Sequence, residues 1–424
     1  MLHPAEQLVN IMQRIYNYGM TTTSGGNLSI LDDNGDIWIT PGGIDKGSLT
    51  TKDIVKVKKD GTIEGIHKPS VEFPFHQLIY QKRKDIKAIV HAHPPALVSF
   101  SIVRKKPDTR LIPVAHLMCG EIGMAAYDVP GSKELGEKIA DVFEQGYDCV
   151  MLENHGVVVG GEDIVKAFMA FETLDFCARL EIRASQIGQA YPLSAKYIEI
   201  ARTKQDVILG TFAPYKHSSE EKFARSQMCK LIHRAYQQQL FTSTQGTFSV
   251  KLDDDCFLIT PYNKDRKYLD VDDLVLIKNG QAEAGKNPSR SVLLHRAIYK
   301  KHPEINSVII AHPPNILAFA VTKKQFDSRI IPESYIMLRN VNILPFGSTF
   351  MQPELVADTF CPGKPWAIVE NDCIIVTGNS LLNAFDRLEV AEYSAKAVID
   401  SGIIGDFAKI SDEQVKQLEK AFNL

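Results

Sequence analysis

The sequence predicts an α/β protein that consists of two tandem copies of one domain. Five segments of the first half recur in the same order in the second half, and short β-branched strands alternate with helical segments in both halves. A chain of 424 residues is also too long for one ordinary domain and suits two of roughly 200 residues. We therefore expect domain limits of 1–208 and 219–424, joined by a linker over 209–218 that contains Gly, Pro and Ser.

The repeated segments keep a nearly constant separation along the chain, which chance similarity would not do five times. The pairs are TSGGNLSI (23–30) with STQGTFSV (243–250), IWITPGGIDK (37–46) with FLITPYNKDR (257–266), KPSVEFPFHQLIY (68–80) with NPSRSVLLHRAIY (287–299), VHAHPPALVSFS (90–101) with IIAHPPNILAFA (309–320), and MLENHGVVVGG (151–161) with IVENDCIIVTG (368–378). The pattern indicates a tandem duplication.

The first copy shows the local signals of its elements in order. Runs of β-branched and apolar residues predict strands, and the first three form an antiparallel meander because Asp, Asn and Gly turns join them. These strands are 28–30, 37–39, 54–57, 88–92, 148–153 and 156–159. Apolar spacing predicts helices over 1–20, 70–84 and 162–187, the last with a counterpart over 381–399. Pro94-Pro95 opens a further helix, because the missing N–H of proline does no harm in a first turn.

Composition and charge narrow the class of protein. A net charge of −3 gives no general attraction to nucleic acid or to an acidic membrane. No apolar stretch reaches the ~18 residues that a membrane-spanning helix needs, and the first 20 residues resemble an amphipathic helix rather than a leader. The seven cysteines are scattered without paired spacing, as in reduced proteins. We therefore expect a cytoplasmic protein that acts on a small molecule.

Three histidines of the first copy form a candidate metal site. His91 and His93 lie two apart on a strand, so both imidazoles point to one face, and His155 follows a tight chain reversal. Three imidazoles with an open position suit a catalytic divalent metal, most often zinc. An isolated His-x-His pair is weak evidence, and a single buried histidine such as His155 is more often part of a core.

The second copy favours the metal interpretation. It keeps the surrounding prolines and apolar residues but has Ile310 in place of His91 and Asp372 in place of His155, retaining only His312. The fold therefore does not require those imidazoles, and we expect the second domain to be metal-free. Glu72 follows the same pattern, since Ser291 replaces it. A carboxylate beside a metal is the expected acid or base.

Two further side chains of the same helix are kept in both copies. His76 recurs as His295, and Tyr80 recurs as Tyr299. Because the copy without the metal set retains them, we assign both to the fold and reject them as catalytic candidates.

These motifs together resemble the class II aldolase/adducin family. The matching segments are Gly26-Asn27-Leu28-Ser29, Ile39-Thr40-Pro41-Gly42-Gly43, Pro69-Ser70-Val71-Glu72, His91-Ala92-His93-Pro94 and Asn154-His155-Gly156. The resemblance spans residues 5–190, and the second half resembles the same fold without the chemistry.

The resemblance implies a fold, a metal and a reaction. Each domain is expected to hold a mostly antiparallel sheet flanked by helices. One zinc ion per chain, or alternatively another divalent metal, is expected on His91, His93 and His155 of the first domain, and Glu72 is implied as the acid/base that also ligates it. The implied activity is an aldolase-type lyase of carbohydrate metabolism, which cleaves a sugar phosphate or related hydroxy-ketone through a metal-stabilised enediolate.

The implied anion pocket departs from the family pattern. The resemblance places substrate binding at Gly26, Asn27, Gly42, Gly43 and Ser70, but Gly42 and Val71 stand where hydroxyl residues are common. Two hydroxyl donors to a phosphate are missing, so either backbone amides suffice or the anion is different, for example a carboxylate.

Alternatives to the lyase remain open at this point. A metal-dependent epimerase, decarboxylase or dehydratase acting on a sugar or sugar acid would use the same ligands, whereas an adducin-like scaffold would have lost them. The family also implies a homo-oligomer, here a dimer forming a pseudo-fourfold ring. The second copy would then either complete the site of the first, through Tyr335 or Arg290, or serve only as a structural partner.

Overall fold

The computed structural model describes residues 2–214 and 216–424, so Tyr215 of the expected linker lies outside the described residues. Contacts divide the chain into two compact units, the first up to Thr109 together with Val114–Arg179, and the second Arg110–Pro113 together with Leu180–Leu424. Residues 180–208, which the repeat assigns to the first copy, thus belong to the second compact unit. The limits 1–208 and 219–424 stay a prediction about the two copies.

The four helices with predicted bounds are confirmed to within about five residues at each end, and a helix begins at Pro95 as expected. The helices are α1 (Pro4–Asn17), α2 (Phe73–Lys82), α3 (Pro95–Ile102), α4 (Pro113–Cys119), α5 (Lys133–Glu144), α6 (Ile164–Ile187), α7 (Ala195–Arg202), α8 (Ser219–Gln237), α9 (Val292–Lys301), α10 (Pro314–Thr322), α11 (Pro332–Leu338), α12 (Ser348–Met351), α13 (Pro353–Asp358), α14 (Leu381–Ile404) and α15 (Asp412–Phe422).

The strands form two sheets, one in each unit. They are β1 (Asn27–Leu31), β2 (Ile37–Ile39), β3 (Val55–Val57), β4 (Ile63–Glu64), β5 (Ala88–Ala92), β6 (Gly123–Ala125), β7 (Cys149–Leu152), β8 (Gly156–Gly161), β9 (Thr211–Phe212), β10 (Thr247–Asp253), β11 (Cys256–Ile259), β12 (Val275–Lys278), β13 (Gln281–Glu283), β14 (Ser307–Ala311), β15 (Asn342–Leu344), β16 (Trp366–Val369) and β17 (Ile374–Gly378).

The first sheet has the strand order β4-β3-β2-β1-β5-β8-β7-β6. The predicted meander is confirmed, because β1 to β4 pair antiparallel in sequence order. Strand β5 pairs antiparallel with both β1 and β8, while β6 runs parallel to β7. The expectation of a mostly antiparallel sheet in an α/β domain is therefore confirmed.

Both faces of this sheet are covered by helices. Ile89 of β5 packs in a core with Phe75 of α2 and Ile139 of α5. The neighbouring residues Ala88 and Val90 point to the opposite face and are also buried. A strand buried on both faces reads as a continuous apolar run, which explains the sequence AIVHA and makes a histidine within it unusual.

The second sheet has the order β15-β16-β17-β14-β10-β11-β12-β13-β9 and repeats the central pairings of the first. Asn27 faces His91 across the first sheet, and Thr247 faces Ile310 at the equivalent place in the second. The chain reversals also match, since Asn154 and Asn371 both adopt left-handed backbone angles, with φ of 54° and 51°. The two units therefore share their central backbone frame.

No helix in the described part of the chain is both long enough and apolar enough to cross a membrane.

Candidate metal centre

The predicted ligands come together at the ends of two central strands of the first sheet, β5 and β8. His91 lies near the end of β5, and His93 follows that strand. Because β5 pairs with β8, His155 at the entrance to β8 lies next to them. Glu72 is the residue immediately before α2. The cluster thus draws on two strand ends and one helix start, all fixed by backbone hydrogen bonds.

The ligand atoms of these side chains converge on one point. The Nε2 atoms of His91 and His93 are 3.1 Å apart. Glu72 faces the same point, with Oε2 3.2 Å from Nε2 of His91 and Oε1 3.4 Å from Nε2 of His155. One ring nitrogen from each of the three histidines lies within 4.8 Å of the others. The predicted residues are therefore brought together as a set.

A hydrogen bond on the side of the ring away from the cluster fixes the orientation of His91. Its Nδ1 atom lies 2.9 Å from the carbonyl oxygen of Val157, so this nitrogen donates its proton there. The lone pair is thereby left on Nε2, which faces the cluster. A ligating histidine usually has such an outer partner, because it fixes the tautomer and the ring direction.

Burial and charge set the ionisation of the cluster. Burial and the charge of His91 lower the pKa of His93 to about 3 and that of His155 to about 4. Burial opposes ionisation of Glu72, but His91, His155 and Asn27 outweigh it and hold the pKa of that carboxyl well below its usual range. Burial opposes protonation of His91, but Glu72 and the Val157 carbonyl outweigh it and raise the pKa of this ring. Neutral imidazoles and an ionised carboxylate are the forms that bind a divalent cation, so metal binding would release the Nε2 proton of His91.

The geometry and the unsatisfied atoms fit a divalent metal. Nitrogens that share a tetrahedral zinc ion at ~2.0–2.1 Å stand roughly 3.3 Å apart, close to the 3.1 Å between His91 and His93. Oε1 of Glu72 and Nδ1 of His155 are buried without a hydrogen-bond partner. Buried polar atoms are nearly always paired, so a missing partner at Glu72 is informative. His91, His93 and His155 could hold the ion, with Glu72 at its side.

At Gly26 and Gly156 the backbone approaches the end of β5 more closely than a side chain would allow. A Cβ on Gly156 would lie 2.6 Å from both the carbonyl oxygen of Ala92 and Cδ2 of His93. Gly26 has φ of +72°, and a Cβ there would lie 2.8 Å from the carbonyl oxygen of His91. Any side chain at either position would displace the β5 end that carries the histidines.

The expected anion loops lie side by side. Pro41 and Pro69 form an isolated β-bridge, and the Cβ position of Gly42 lies 3.5 Å from Cα of Ser70. Gly43 has φ of +67° and open space around its Cβ position. The Ser70 hydroxyl accepts a hydrogen bond of 3.3 Å from the backbone N–H of Glu72. The side chain of Val71 is 73% exposed. The N–H of Gly42 already donates to the carbonyl of Lys68 at 3.3 Å, so Gly43 presents the open side of this loop.

A buried lysine ties these loops to the segment before β1. The backbone N–H of Lys46 donates to the carbonyl of Thr23, and its ammonium donates to the carbonyl of Pro41. Burial lowers the pKa of Lys46 to about 8. Arg266 repeats this arrangement in the second unit, where it donates to Ser243 and Pro261. These hydrogen bonds therefore belong to the backbone arrangement that the two units have in common.

The side chain of Asn27 has a different environment from the one expected for a substrate contact. Its amide nitrogen donates to Oε2 of Glu72 at 2.7 Å, and its oxygen lies 2.5 Å from Nε2 of His76. Only 2% of Asn27 is exposed. The side chain of Asn27 therefore holds Glu72 in position. Binding of the substrate by the backbone of Asn27 stays a prediction.

The equivalent place in the second unit lacks the ligand set. Of the counterparts, only His312 is an imidazole, and burial together with the charge of Lys204 lowers its pKa to about 3. Asp372 accepts a 3.5 Å hydrogen bond from Thr349. Among the described residues, the three-residue cluster with metal-ligand geometry is the one in the first unit. A metal-free second domain stays a prediction that these residues support.

Lys204 lies close to this remnant of the site. Its ammonium is 5.1 Å from the ring centroid of Phe350, next to Thr349. Its backbone carbonyl accepts a 3.0 Å hydrogen bond from Arg290. Burial lowers the pKa of Lys204, while the carboxylate of Asp372 acts in the opposite direction. A cation here opposes the approach of a second cation. Sequence reasoning missed Lys204, because it lies outside the repeated segments.

Both halves of the chain match one known protein family. The model of the family described as "Class II Aldolase and Adducin N-terminal domain" matches residues 6–182 and again 226–399. The chain is 32% identical over 191 residues to the 5-deoxy-D-ribulose 1-phosphate aldolase of Bacillus thuringiensis serovar kurstaki, covering 43% of this chain and 86% of that protein.

Two further relatives match to a similar extent. The L-fuculose phosphate aldolase of Methanococcus maripaludis is 36% identical over 176 residues, covering 41% of this chain and 93% of that protein. The 3-oxo-tetronate 4-phosphate decarboxylase of Haemophilus influenzae is 31% identical over 179 residues, covering 41% of this chain and 85% of that protein. Each relative is thus matched over most of its length by less than half of this chain.

Proposed function

Because the chain belongs to the class II aldolase and adducin family and carries two copies of its domain, we propose that the first copy is a zinc-dependent, aldolase-type lyase. Its substrate is a sugar phosphate or a related hydroxy-ketone. The observation that supports this most is the convergence of the three imidazole nitrogens and the ionised carboxylate of Glu72 on one point.

The residues have distinct roles in this proposal. His91, His93 and His155 would hold the ion, which when bound supplies Lewis-acid stabilisation of negative charge on a substrate oxygen. Val157 and the paired strands keep the imidazoles in position. The cluster is largely shielded from solvent, since His91 is fully buried and Glu72 is 6% exposed. Low exposure strengthens each electrostatic contact in the site.

Glu72 is the proposed proton carrier. Its Oε2 is occupied by Asn27, whereas Oε1 has no hydrogen-bond partner and faces the cluster. Oε1 is therefore the atom that takes the proton from the substrate hydroxyl as the neighbouring carbon–carbon bond breaks. The electron pair of that bond passes to the carbonyl fragment, the other fragment leaves as an aldehyde, and Glu72 returns the proton to the carbonyl fragment.

The substrate anion is proposed to bind at the loops around Gly26-Asn27, Gly42-Gly43 and Ser70. Gly43 is exposed with open space around it, and Ser70 lies beside Gly42. Backbone N–H groups would supply most of the donors, because Gly42 and Val71 carry no hydroxyl. A carboxylate or a phosphate can use such donors.

A decarboxylase is the second candidate. It is favoured by the similarity to a 3-oxo-tetronate 4-phosphate decarboxylase. Both reactions break a carbon–carbon bond and leave an electron pair on a carbonyl fragment, so the same residues serve either. They differ in the second product, an aldehyde or carbon dioxide. An epimerase or dehydratase stays an alternative without a specific observation in its favour, and a scaffold does not account for the retained ligands.

The experiment is a screen of ketose phosphates and sugar acids with zinc-loaded full-length protein. Release of aldehyde supports the lyase, and release of carbon dioxide supports the decarboxylase. His93→Ala should abolish both turnover and bound zinc, while the matched change His312→Ala in the second copy should leave both intact. Turnover that survives His93→Ala would contradict the proposed site.

We further propose that the chain forms a homo-oligomer, a dimer with pseudo-fourfold symmetry being the simplest form. The side chains suggested for a role across subunits have partners within their own chain. The Tyr335 hydroxyl donates to Glu419 at 2.8 Å, and Arg290 donates to the carbonyl of Lys204. Tyr335→Phe with unchanged turnover and metal content would remove Tyr335 from a role in the site of the first copy.

A further inference from the structure

A chain of buried hydrogen bonds extends from Glu72 into the core of the first unit. Asn27 bridges Glu72 and Nε2 of His76, with distances of 2.7 Å and 2.5 Å. On the other side of the ring, Nδ1 of His76 lies 2.7 Å from the hydroxyl of Ser29, which lies 2.7 Å from the hydroxyl of Tyr80. Five side chains are thus linked in series, and the first of them, Glu72, is the proposed proton carrier.

The direction of every bond in this series follows from the charge on Glu72. An ionised carboxylate only accepts, so Asn27 must present its NH2 group to Glu72 and its oxygen to His76. That oxygen needs a donor, which places the proton of His76 on Nε2. The bare Nδ1 then accepts from Ser29, and the Ser29 oxygen accepts from Tyr80. The ring is neutral, because burial lowers the pKa of His76 to about 3.

The second unit retains the inner part of this series and lacks the outer part. The Ser249 hydroxyl lies 2.6 Å from Nδ1 of His295 and 2.6 Å from the hydroxyl of Tyr299. There Thr247 replaces Asn27 and bonds to Ser289 instead, at 2.8 Å. Nε2 of His295 is buried without a partner. The bonds among serine, histidine and tyrosine therefore serve the fold of both units. The contact from His76 to Asn27 is found in the unit that carries the metal ligands.

We infer that His76 is a positioning residue for Glu72, acting through Asn27, whose amide it holds in place against the carboxylate. The inference rests on the proposed function for its catalytic consequence, but the hydrogen-bond directions do not depend on it. The recurrence of this histidine in both copies indicates only a role in the fold. A role at the site is indicated by its partner, because Thr247 replaces Asn27 in the copy that has also lost Glu72.

The amide of Asn27 is held at both ends. The charge of Glu72 favours its NH2 group, and the N–H of His76 holds its oxygen. Without that donor the buried oxygen of Asn27 has no partner, and the amide moves away from Glu72 to find one. Glu72 would then lose the donor that orients it beside the histidines. Removing partners of this kind typically lowers metal affinity or activity by about 10- to 100-fold.

The first test is direct and needs no substrate. In full-length protein labelled with 15N in the histidine rings, the two-bond 15N–1H spectrum shows which nitrogen of each ring carries the proton. We expect the proton of His76 on Nε2, with exchange slowed by its burial. A proton on Nδ1 would reverse the series and overturn the inference. Asn27→Thr should shift the signals of His76 and leave those of His295 unchanged.

The second test compares matched variants in the two copies. His76→Phe and His295→Phe remove the same inner bonds, so both should lower the unfolding temperature by similar amounts. We expect only His76→Phe to weaken zinc binding or lower kcat by about 10- to 100-fold, with KM nearly unchanged. Equal zinc affinity and equal kcat in both variants would overturn the inference.

Asn27→Thr tests the contact to Glu72 separately, and the ring tautomer carries the test of His76 if His76→Phe does not fold. The second unit shows that threonine is compatible with this frame, because Thr247 occupies the same position. The variant should reproduce the loss in zinc affinity or kcat while leaving the unfolding temperature near that of the wild type. If no tested compound is turned over, the ring tautomer and the zinc affinity still decide the inference, so its failure is distinct from that of the proposed function.

Discussion

Nε2 of His91 and Nε2 of His93 lie 3.1 Å apart, although His91 belongs to a buried strand and His93 to the turn after it. Two neutral imidazoles with facing lone pairs gain nothing from this proximity on their own. A shared cation makes it favourable, and Glu72 adds the negative charge that such a cation requires.

Glu72→Gln should separate catalysis from metal binding. The three imidazoles remain, so the variant should retain bound zinc, but a carboxamide cannot take the substrate proton. General acid–base catalysis contributes typically 10²- to 10⁴-fold, so we expect kcat to fall by about that factor. Steady-state kinetics beside a metal analysis of the same sample measure both. Ser291→Ala, at the equivalent helix start, is the control, and normal turnover in Glu72→Gln would exclude the proposed role.

Gly156→Ala should displace His93. The added Cβ would meet the Ala92 carbonyl and the imidazole at 2.6 Å, and neither can move without shifting β5. Overpacking of this kind costs typically about 1–3 kcal/mol, and we also expect weaker zinc binding. Thermal unfolding and zinc titration test it. Gly402→Ala is the matched control, since open space surrounds Gly402 within α14 and alanine favours a helix. Unchanged zinc affinity in Gly156→Ala would contradict the packing argument.

Lys204→Met should destabilise the second unit. The methionine keeps much of the side-chain length but removes the positive charge near Asp372. Burial already raises the pKa of the Asp372 carboxyl, so its ionised form depends on that charge. Leaving a buried polar group without its partner costs about 1–3 kcal/mol. Denaturant unfolding of Lys204→Met, Asp372→Asn and the double variant forms a cycle. We expect the double variant to lose less stability than the two single losses together, and strict additivity would show that the two residues do not interact.

Much of the fold could be predicted from the sequence because its signals are local. Strand β5 begins and ends at the predicted residues Ala88 and Ala92, since an apolar run stops at the prolines that follow it. Helix α2 is shorter than predicted and begins at Phe73, because Ser70 and Glu72 form the turn that presents the carboxylate. The compact units divide at Arg179 rather than after residue 208, because residues 180–208 pack with the second unit, which no local pattern reveals.

The candidate site was predictable where the two copies differ and less so where they agree. The loss of His91, His155 and Glu72 in the second copy pointed to the cluster that the structure brings together. The contact from His76 to Asn27 could not be inferred in this way, because His76 is kept in both copies and only its partner changes. Lys204 had no signal in the sequence, since it lies outside the repeated segments and approaches Asp372 only in the folded chain.

Zinc titration of the metal-free protein tests the central claim most directly, with turnover and bound metal measured in the same samples. The account predicts that activity rises in proportion to added zinc, reaches its maximum at one equivalent per chain, and is absent from His93→Ala at any zinc concentration. Activity in the fully metal-free protein, or a maximum that requires two equivalents per chain, would contradict it.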